Sequence, residues 1–355
     1  MNEESQHQAG HPGNTSGGAP AVGNYGSDQY GMICGFLFDA GSAGRPIDSP
    51  AAVEWLRGSE SQTGNAFLWL HFNLANASCE RWMRQNLILP EPFYETLHDG
   101  SHSTRIEYAD GALVAVANDV LFDFSFDSSH ISTLYLVVDR RMLVTARTKP
   151  LRAIDRLRAA AKTGTPFRSS VELLIHLLHD QADVLTAIVR DSVIKVDDIE
   201  DQMLAGRLDH KRAALGQLRR VLVRLKRLLA PEPASLFRLL SHPPAWMRAD
   251  DTADLRHSTE EFSIAVNDID TLQERIKLLQ EEIAAQIQEQ NNKSLFVLTT
   301  FTVLALPVNM IAGLFGMNVG GIPFNQDPEG FWIVVGIVLS ITVIAGWWAF
   351  RRGQD

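Results

Sequence analysis

The sequence predicts an α+β domain followed by long helices and two membrane-spanning helices. Three observations carry this prediction: short β-rich apolar runs up to residue 150, a three-four apolar periodicity in the middle, and two uncharged apolar stretches near the C-terminus. The chain has 355 residues, which is enough for two or more domains. Its mean hydropathy of -0.05 indicates that most of the chain is water-soluble.

The composition excludes several classes of function. A net charge of -10 argues against a nucleic-acid-binding protein, because no basic surface dominates. Two cysteines, Cys34 and Cys79, are too few for a disulfide framework and indicate a reducing compartment. The sequence has no P-loop, no Gly-rich dinucleotide turn and no nucleophile elbow. We therefore expect no enzymatic activity, no resident cofactor, and neither a nucleic acid nor a nucleotide as partner.

The first 150 residues divide into a tail and a mixed domain. Residues 1–31 are rich in Gly, Ser, Asn and Gln, which predicts a disordered tail, and they lack the features of a signal peptide. Residues 32–150 contain short apolar runs bounded by Gly, Asp and Asn, which favour strands. "YADGA" and "VDRRM" are typical of hairpin turns, and helical pieces are expected around residues 51–56 and 78–89.

Residues 151–254 predict a helical hairpin. One long helix is expected to end at Gly206, and a second is expected to be stopped by Pro231. The first helix is acidic and the second is basic, which favours an antiparallel pair. Two separately solvated charged faces are the alternative interpretation.

Residues 255–293 predict a long stalk helix. Apolar residues recur there at steps of three or four, close to a heptad seam: Phe262, Ala265, Ile269, Leu272, Ile276, Leu279, Ile283 and Ile287. No proline or glycine interrupts the pattern before the apolar run begins at Ser294. One helix is therefore expected to run from the soluble part into lipid.

Two spans are predicted, at residues 294–315 and 331–350, joined by a turn and loop at 316–330. Each is uncharged and long enough for about 30 Å of hydrocarbon, and Trp332 and Trp347 flank the second. Lysine and arginine lie before the first span and after the second, whereas the loop has neither. The positive-inside rule then places both termini, including the tail 351–355, in the cytoplasm.

One face of the first span collects polar and small residues. At steps of three or four it carries Asn292, Leu295, Thr299, Thr302, Leu306, Asn309, Gly313 and Gly316, with Leu298 at its border. An asparagine inside a bilayer is costly unless it faces water or a partner helix. We interpret this face as the lining of a cation pore, in which amide oxygens hold a hydrated divalent ion and the leucines form apolar constrictions. In the alternative interpretation, these residues only bond and pack against neighbouring helices. Two helices cannot enclose a pore, so the hypothesis requires several copies of the chain.

The chain resembles the CorA superfamily of divalent-cation transporters. The resemblance covers residues 32–352 and rests on the long stalk, the two terminal spans and the Gly-Met-Asn turn at residues 316–318. It implies a homopentamer with a funnel-shaped cytoplasmic region, embedded in the bacterial inner membrane. It also implies pore-mouth roles for Gly316, Met317 and Asn318, and inner-gate roles for Asn292, Leu295 and Leu298.

Within the superfamily, the continuation "GMNVGGIPF" is most similar to the ZntB-like zinc branch. That likeness implies Zn²⁺ as the transported ion, with proton coupling, while Mg²⁺, Co²⁺, Ni²⁺ and Cd²⁺ stay open. The resemblance also places Glu281 and His257 near stalk positions where magnesium-type members carry aspartates. Imidazole at residue 257 suits zinc better than magnesium.

Other candidate sites have simpler alternatives. His176, His179 and Asp180 share a helical face and are candidate zinc ligands, although such residues more often pack or face solvent. The stretch "HDGSH" at residues 98–102 is interpreted first as a polar loop and only second as a metal site. Asp327 and Glu329 are expected to concentrate cations at the outer mouth, or simply to begin the second span.

Three functions remain at the level of the sequence. The first is a zinc transporter that favours uptake, because the membrane potential draws a divalent cation inward at about 2.3 kcal/mol per charge per 100 mV. The second is a magnesium, cobalt or nickel channel of the CorA type. The third is a membrane-anchored coiled-coil scaffold or sensor, against which the polar face and the glycine-rich turn both count.

Overall fold

The computed structural model describes residues 26–58, 64–99, 104–127, 129–205, 211–317, 323 and 328–352. The chain divides into two compact units, Met1–Ile276 and Lys277–Asp355. Most of the predicted disordered tail lies outside the described residues. Its last residues are ordered, because the Asp28 carboxylate accepts from the backbone N–H of Tyr30 and Met32 and the Tyr30 ring stacks on Trp82.

The first unit is built on a seven-stranded sheet. The strands are β1 (Met32–Phe38), β2 (Ser42–Ala43), β3 (Arg45–Pro46), β4 (Phe67–Asn73), β5 (Arg105–Ala109), β6 (Ala112–Val120), β7 (Ile131–Val138), β8 (Met142–Arg147) and β9 (Pro166–Phe167). The sheet order is β3-β1-β4-β8-β7-β6-β5, and β2 pairs with β9 separately. Only β4 and β8 pair in parallel within the large sheet. The predicted mixed α/β character is confirmed.

Both predicted hairpin turns are present. Between β5 and β6, Asp110 and Gly111 have φ angles of 49° and 83°, the double positive φ of a type I′ turn. Between β7 and β8, the Asp139 carboxylate accepts from the N–H of Arg141 at 2.6 Å and of Met142 at 2.8 Å. Each turn therefore depends on a short polar side chain or a glycine that the sequence makes visible.

Nine helices are described. They are α1 (Ser49–Arg57), α2 (Cys79–Asn86), α3 (Glu91–His98), α4 (Arg152–Lys162), α5 (Ser170–Leu204), α6 (Lys211–Leu229), α7 (Pro231–Ser241), α8 (Ala249–Phe315) and α9 (Gly330–Arg352). The chain leaves α2 at Leu87, and α3 follows directly after Pro90. Pro231 begins α7 as well as following α6, since proline is tolerated in the first turn of a helix. Gly206, the predicted end of α5, lies outside the described residues.

Apolar residues cover both faces of the sheet. Alternate residues of β4 point in opposite directions: Trp69 belongs to the core that includes α4, α5 and α7, whereas Leu68 and Leu70 belong to the core that includes α2 and α3. All seven residues of β4 are buried. A strand covered on both faces needs this near-continuous apolar run.

Helix α8 is continuous over 67 residues. Its length, at about 1.5 Å per residue, is roughly 100 Å. The predicted stalk seam is buried at Phe262, Ile269 and Ile276. The helix begins six residues before the predicted start at Leu255, and it continues through the first predicted span with Pro307 in its interior. The expectation of one helix running from the soluble part into the apolar run is confirmed.

Candidate functional site

Two helices of the structure are long and apolar enough to cross a membrane, α8 and α9. Their apolar windows are almost entirely unburied within the single chain. A core helix of a soluble protein would be covered by other parts of the chain, so the exposed apolar surface fits a lipid environment or further copies of the chain.

One face of the first span packs against α9. Its half-buried residues are Thr300, Leu304, Pro307, Val308 and Ile311. On α9, a methyl group added to Gly346 would lie 4.0 Å from Leu304 Cδ2, an ordinary van der Waals contact. The two helices therefore approach each other at Leu304 and Gly346.

The predicted pore face lies on the opposite side of the same helix. Thr302, Leu306, Asn309 and Gly313 are all exposed. At 100° per residue they fall within about 60° of one another and roughly 170° from Leu304. Leu295 and Leu298 are exposed as well, at 59% and 65%. The contact with α9 therefore does not account for these polar and small residues.

Two polar side chains of this face form hydrogen bonds within the helix. Thr302 Oγ1 donates to the carbonyl of Leu298 at 2.9 Å, so its oxygen retains lone pairs for water or a hydrated ion. The Oδ1 atom of Asn292 accepts from Gln288 Nε2 at 3.0 Å. Pro307 has no N–H, so the carbonyl of Val303 loses its usual partner four residues on.

The end of the first span is glycine-dependent. The Gly316 N–H donates to the Ala312 carbonyl at 2.9 Å, and a Cβ on Gly316 would lie only 3.0 Å from that oxygen. Met317 is exposed at the end of the described helix region. Asn318 and Asp327 lie outside the described residues. The Glu329 carbonyl accepts from Ile333 N at 3.2 Å, so Glu329 stands where α9 begins.

The candidate histidines of the first unit contact carboxylates in two separate groups. His176 Nδ1 lies 3.0 Å from Asp180 Oδ2. His179 turns to α8, where its Nδ1 lies 3.2 Å from Glu261 Oε2, and His257 Nε2 lies 3.4 Å from the other oxygen of Glu261. Glu261 thus joins two of the predicted histidines, a role that its position four residues after His257 could have indicated.

Metal-ligand geometry is a stricter condition than an ion pair. Within the described parts of the chain, no group of three or more His, Cys, Asp or Glu side chains is placed to hold a metal ion. Glu281, further along α8, is exposed. The structure therefore does not gather His176, His179 and Asp180 as one ligand set, because His176 and His179 point to different carboxylates.

The electrostatics of His176 follow from its surroundings. The hydrogen bond to Asp180 raises its pKa above the usual value, against the opposing effect of burial. The ring also meets Phe167 edge-on, with 5.5 Å between centroids. This histidine therefore links the start of α5 to strand β9.

Charged side chains tie α5 and α6 to α8. Arg275 Nη2 lies 2.7 Å from Asp197 Oδ1 and also bonds Glu200, both on α5. Lys226 on α6 lies 2.6 Å from Asp270 on α8. The acidic and basic helices were expected to complement each other directly, but these pairs run to the stalk helix. In the sequence, Arg275 is one of two basic residues, with Lys277, among eight acidic residues between Glu260 and Glu289.

Comparisons with known proteins agree with this architecture. The family model described as "CorA-like Mg2+ transporter protein" matches residues 64–352. The divalent cation transporter CmaX of Pseudomonas aeruginosa is 26% identical over 328 residues, covering 92% of this chain and 97% of CmaX. The zinc transport protein ZntB of Yersinia enterocolitica is 23% identical over 303 residues, covering 85% of this chain and 92% of ZntB.

Structural similarity extends over nearly the whole chain. The structure of full-length CmaX has a TM-score of 0.76 and 24% identity, and the match covers 93% of this chain and 99% of CmaX. At this identity the likeness establishes the fold. The α+β domain, the long helix and the second apolar helix are thus a known arrangement.

Proposed function

Because the chain belongs to the family of CorA-like divalent-cation transporters, we propose that it carries zinc across the bacterial inner membrane through a homopentameric pore. The family consists of transporters and not of enzymes. The finer statements, namely the ion, the number of copies, the membrane and the direction, are our proposal. Both termini are placed in the cytoplasm, as the distribution of Lys and Arg around the spans favours.

The observation that supports a pore most strongly is the position of Asn309. It is exposed in the single chain, on the side of the first span away from the half-buried Leu304 and Ile311. An amide facing lipid would be costly. Placing several copies with this face inward gives each amide a partner or water and lines a central path with oxygen atoms.

Conduction along this path needs no charged side chain. Asn309, Thr302 and the Asn318 ring proposed at the outer mouth would hold a cation through its water shell. Leu295 and Leu298 are the proposed inner constriction, where a ring of leucine side chains repels water when narrow.

The proposed driving force is the membrane potential, with a coupled proton as the further possibility for zinc-type relatives. At about 2.3 kcal/mol per charge per 100 mV, a divalent ion is drawn inward. His257 and Glu281 are the proposed titratable groups, because the described pore face carries none. His257 already shares Glu261 with His179, so a metal ion bound by either histidine would have to displace a carboxylate contact.

Zinc is favoured over magnesium by two observations. The ZntB relative is named as a zinc transport protein, and two imidazole groups, those of His179 and His257, contact Glu261 on the stalk helix. Magnesium is the second candidate, since the matching family model is described as a Mg²⁺ transporter. Cobalt, nickel and cadmium are expected to compete with zinc.

Ion uptake into liposomes tests the proposal. Purified full-length protein would be reconstituted with a zinc-sensitive dye inside, excess magnesium outside, and a variable pH gradient. Zinc entry that persists in magnesium and responds to the pH gradient supports a zinc transporter coupled to protons. Zinc entry blocked by magnesium would instead assign the chain to the magnesium-type channels.

Asn318→Ala, with Asn325→Ala in the same loop as its matched control, separates transport from a scaffold role. We expect Asn318→Ala to abolish flux with the oligomer intact by cross-linking, and Asn325→Ala to conduct. Unchanged flux in Asn318→Ala would overturn the pore-mouth assignment. Absence of any metal flux in the wild type would favour the membrane-anchored scaffold.

A further inference from the structure

A cavity of about 600 Å³ opens in the first unit, away from the spans. Its walls come from the start of β4, the turn between β7 and β8, the start of α5 and the segment that leads into α8. This volume lies in the range of small-molecule sites. Transport through the spans gives this cavity no role.

Arginine dominates the charge of the cavity. Among the described residues, four arginines and a single acidic residue line it: Arg140, Arg141, Arg168, Arg248 and Asp251. In a protein with a net charge of -10, such a concentration of positive charge is a local feature. Guanidinium groups match the oxygen geometry of phosphate, which they can bind with two parallel hydrogen bonds.

Two of these arginines already have carboxylate partners. Arg168 lies 2.8 Å from Glu172 and 2.9 Å from Asp254, and thereby joins the first turn of α5 to α8. Arg248 lies 3.9 Å from Asp250. These pairs fix one side of the cavity and use much of the charge of both groups.

Arg140 and Arg141 differ from Arg168 and Arg248 in their contacts with carboxylates. Within the described part of the chain, neither has a carboxylate within 4.0 Å. Both follow Asp139, whose carboxylate accepts from backbone N–H groups of the turn. Both guanidinium groups therefore line the cavity without a carboxylate in contact, although the charge of Arg141 also acts at longer range on the partly buried carboxyl group of Asp139.

Three further features favour an anionic ligand with an apolar portion. The indole Nε1 of Trp246, another lining residue, is buried and has no acceptor among the described residues, although a buried indole N–H usually finds one. Phe67 contributes a buried apolar wall. The N-terminus of α5, a helix of 35 residues, also adds partial positive charge at Ser169 and Ser170.

We propose that this cavity binds a phosphate-bearing small molecule, with Arg140 and Arg141 contacting the phosphate and Trp246 contacting the remainder. The site differs from a P-loop, so the lack of that motif in the sequence does not bear on it. Its walls include the first turns of both α5 and α8. A ligand held there would brace the start of the stalk helix.

Binding to the full-length protein in detergent tests the proposal. Isothermal titration would use ATP, pyrophosphate and glycerol 3-phosphate as probes, with a chelator present so that metal ions do not bridge the phosphate to the protein. These probes distinguish a nucleotide, a free polyphosphate and a lipid headgroup. We expect saturable binding of at least one probe with one site per protomer.

Paired variants assign the binding to the cavity. Arg140→Ala/Arg141→Ala should weaken binding at least tenfold, and Trp246→Leu should weaken an organic phosphate more than pyrophosphate. Arg156→Ala, an exposed arginine on α4 outside the cavity, is the control and should bind as the wild type does. If no probe binds, or if the double variant binds as tightly as the wild type, the proposal is wrong.

Discussion

Asn309 and Ile311 stand two positions apart in the first span and project from nearly opposite sides of the helix, Asn309 exposed and Ile311 half-buried on the side that meets α9. Two residues correspond to about 200° of rotation, so one helix presents an apolar packing face and a polar face at the same depth. Within the single chain, α9 covers the apolar face, whereas the polar face stays exposed. This relationship underlies the proposal that copies of the chain assemble around a polar path.

Replacing the amide on this face should reduce conduction. We expect Asn309→Leu to lower zinc flux in liposomes at least tenfold, about 1.4 kcal/mol in the barrier, because a ring of leucines holds water poorly. Met310→Leu is the matched control, since it is adjacent, conserves volume and projects about 100° away from Asn309 around the helix. Equal flux in the two variants would place the path elsewhere.

The leucines proposed as the inner constriction should keep the resting pore closed. Leu295→Ser or Leu298→Ser is expected to raise resting flux at least fivefold, because a hydroxyl ring stays wet where a leucine ring does not. Val297→Ser, which is 53% exposed and lies on the other side of the helix, should have no such effect. Resting flux at the wild-type level in both leucine variants would show that other residues form the constriction, and Leu306 would be the next candidate.

The pair of His176 and Asp180 should stabilise the first unit at low pH. The pKa of His176 is raised in the folded chain. The contribution of the pair to the free energy of unfolding is therefore complete below the unfolded pKa of about 6.5, and it disappears as the pH rises through the folded pKa. Asp180→Asn should cost about 1 kcal/mol at pH 6 and less at pH 8.5. Urea unfolding of the full-length protein measures this difference.

Asp183→Asn is the control for that experiment. Asp183 lies one turn further along α5 and is more exposed, and its distance to His179 is 3.9 Å. A cost of Asp180→Asn that is the same at both pH values would show that His176 does not titrate against it.

We expect the buried carboxyl group of Asp119 to make folding stability depend on pH in the opposite direction from an ordinary ion-paired aspartate. Burial raises its pKa to about 7, although Ala153 N and Val120 N donate to it at 2.8 Å and 2.7 Å. The folded chain therefore binds a proton that the unfolded chain has lost, and stability falls as the pH rises from about 4 to about 7. Burial also raises the pKa of the neighbouring Glu232, with Asp119 as a smaller cause.

Asp119→Asn tests this linkage. The amide has one acceptor oxygen for two N–H donors, so the variant should be less stable than the wild type at pH 5. The difference should shrink by about 1 kcal/mol or more by pH 8, where the wild type carries a buried charge. Asp123→Asn, at an exposed position, is the control and should show a constant difference. A constant difference for Asp119→Asn would mean that its carboxyl group does not titrate in this range.

Local patterns in the sequence were enough for several elements. Asp110-Gly111 identified its hairpin because the required positive φ angles are properties of those residues themselves. The uncharged spans and the buried positions Phe262, Ile269 and Ile276 followed from composition and period along one helix. The polar face of the first span followed in the same way, because rotation per residue fixes which side chains share a side.

Other features depend on contacts between distant residues. Arg147 in "LVTART" is 2% exposed, and it donates from Nε to His71 Nε2 at 3.0 Å. Burial lowers the pKa of His71, and the nearby Arg147 charge lowers it further, so this histidine is a neutral core acceptor. No local pattern indicates such a pair, because strands β4 and β8 are separated by about 70 residues and meet only in the folded sheet.

The sequence by itself determined the succession of strands, the long helices, the two apolar spans and the polar face of the first span, since each depends on neighbouring residues and a fixed helical or strand period. The tertiary structure decided that β4 lies beside β8, that Arg275 pairs with α5, that Glu261 joins His179 to His257, and that four arginines surround one cavity. These are pairings between residues far apart in the chain, and their free energy depends on burial and distance, which only the folded chain specifies.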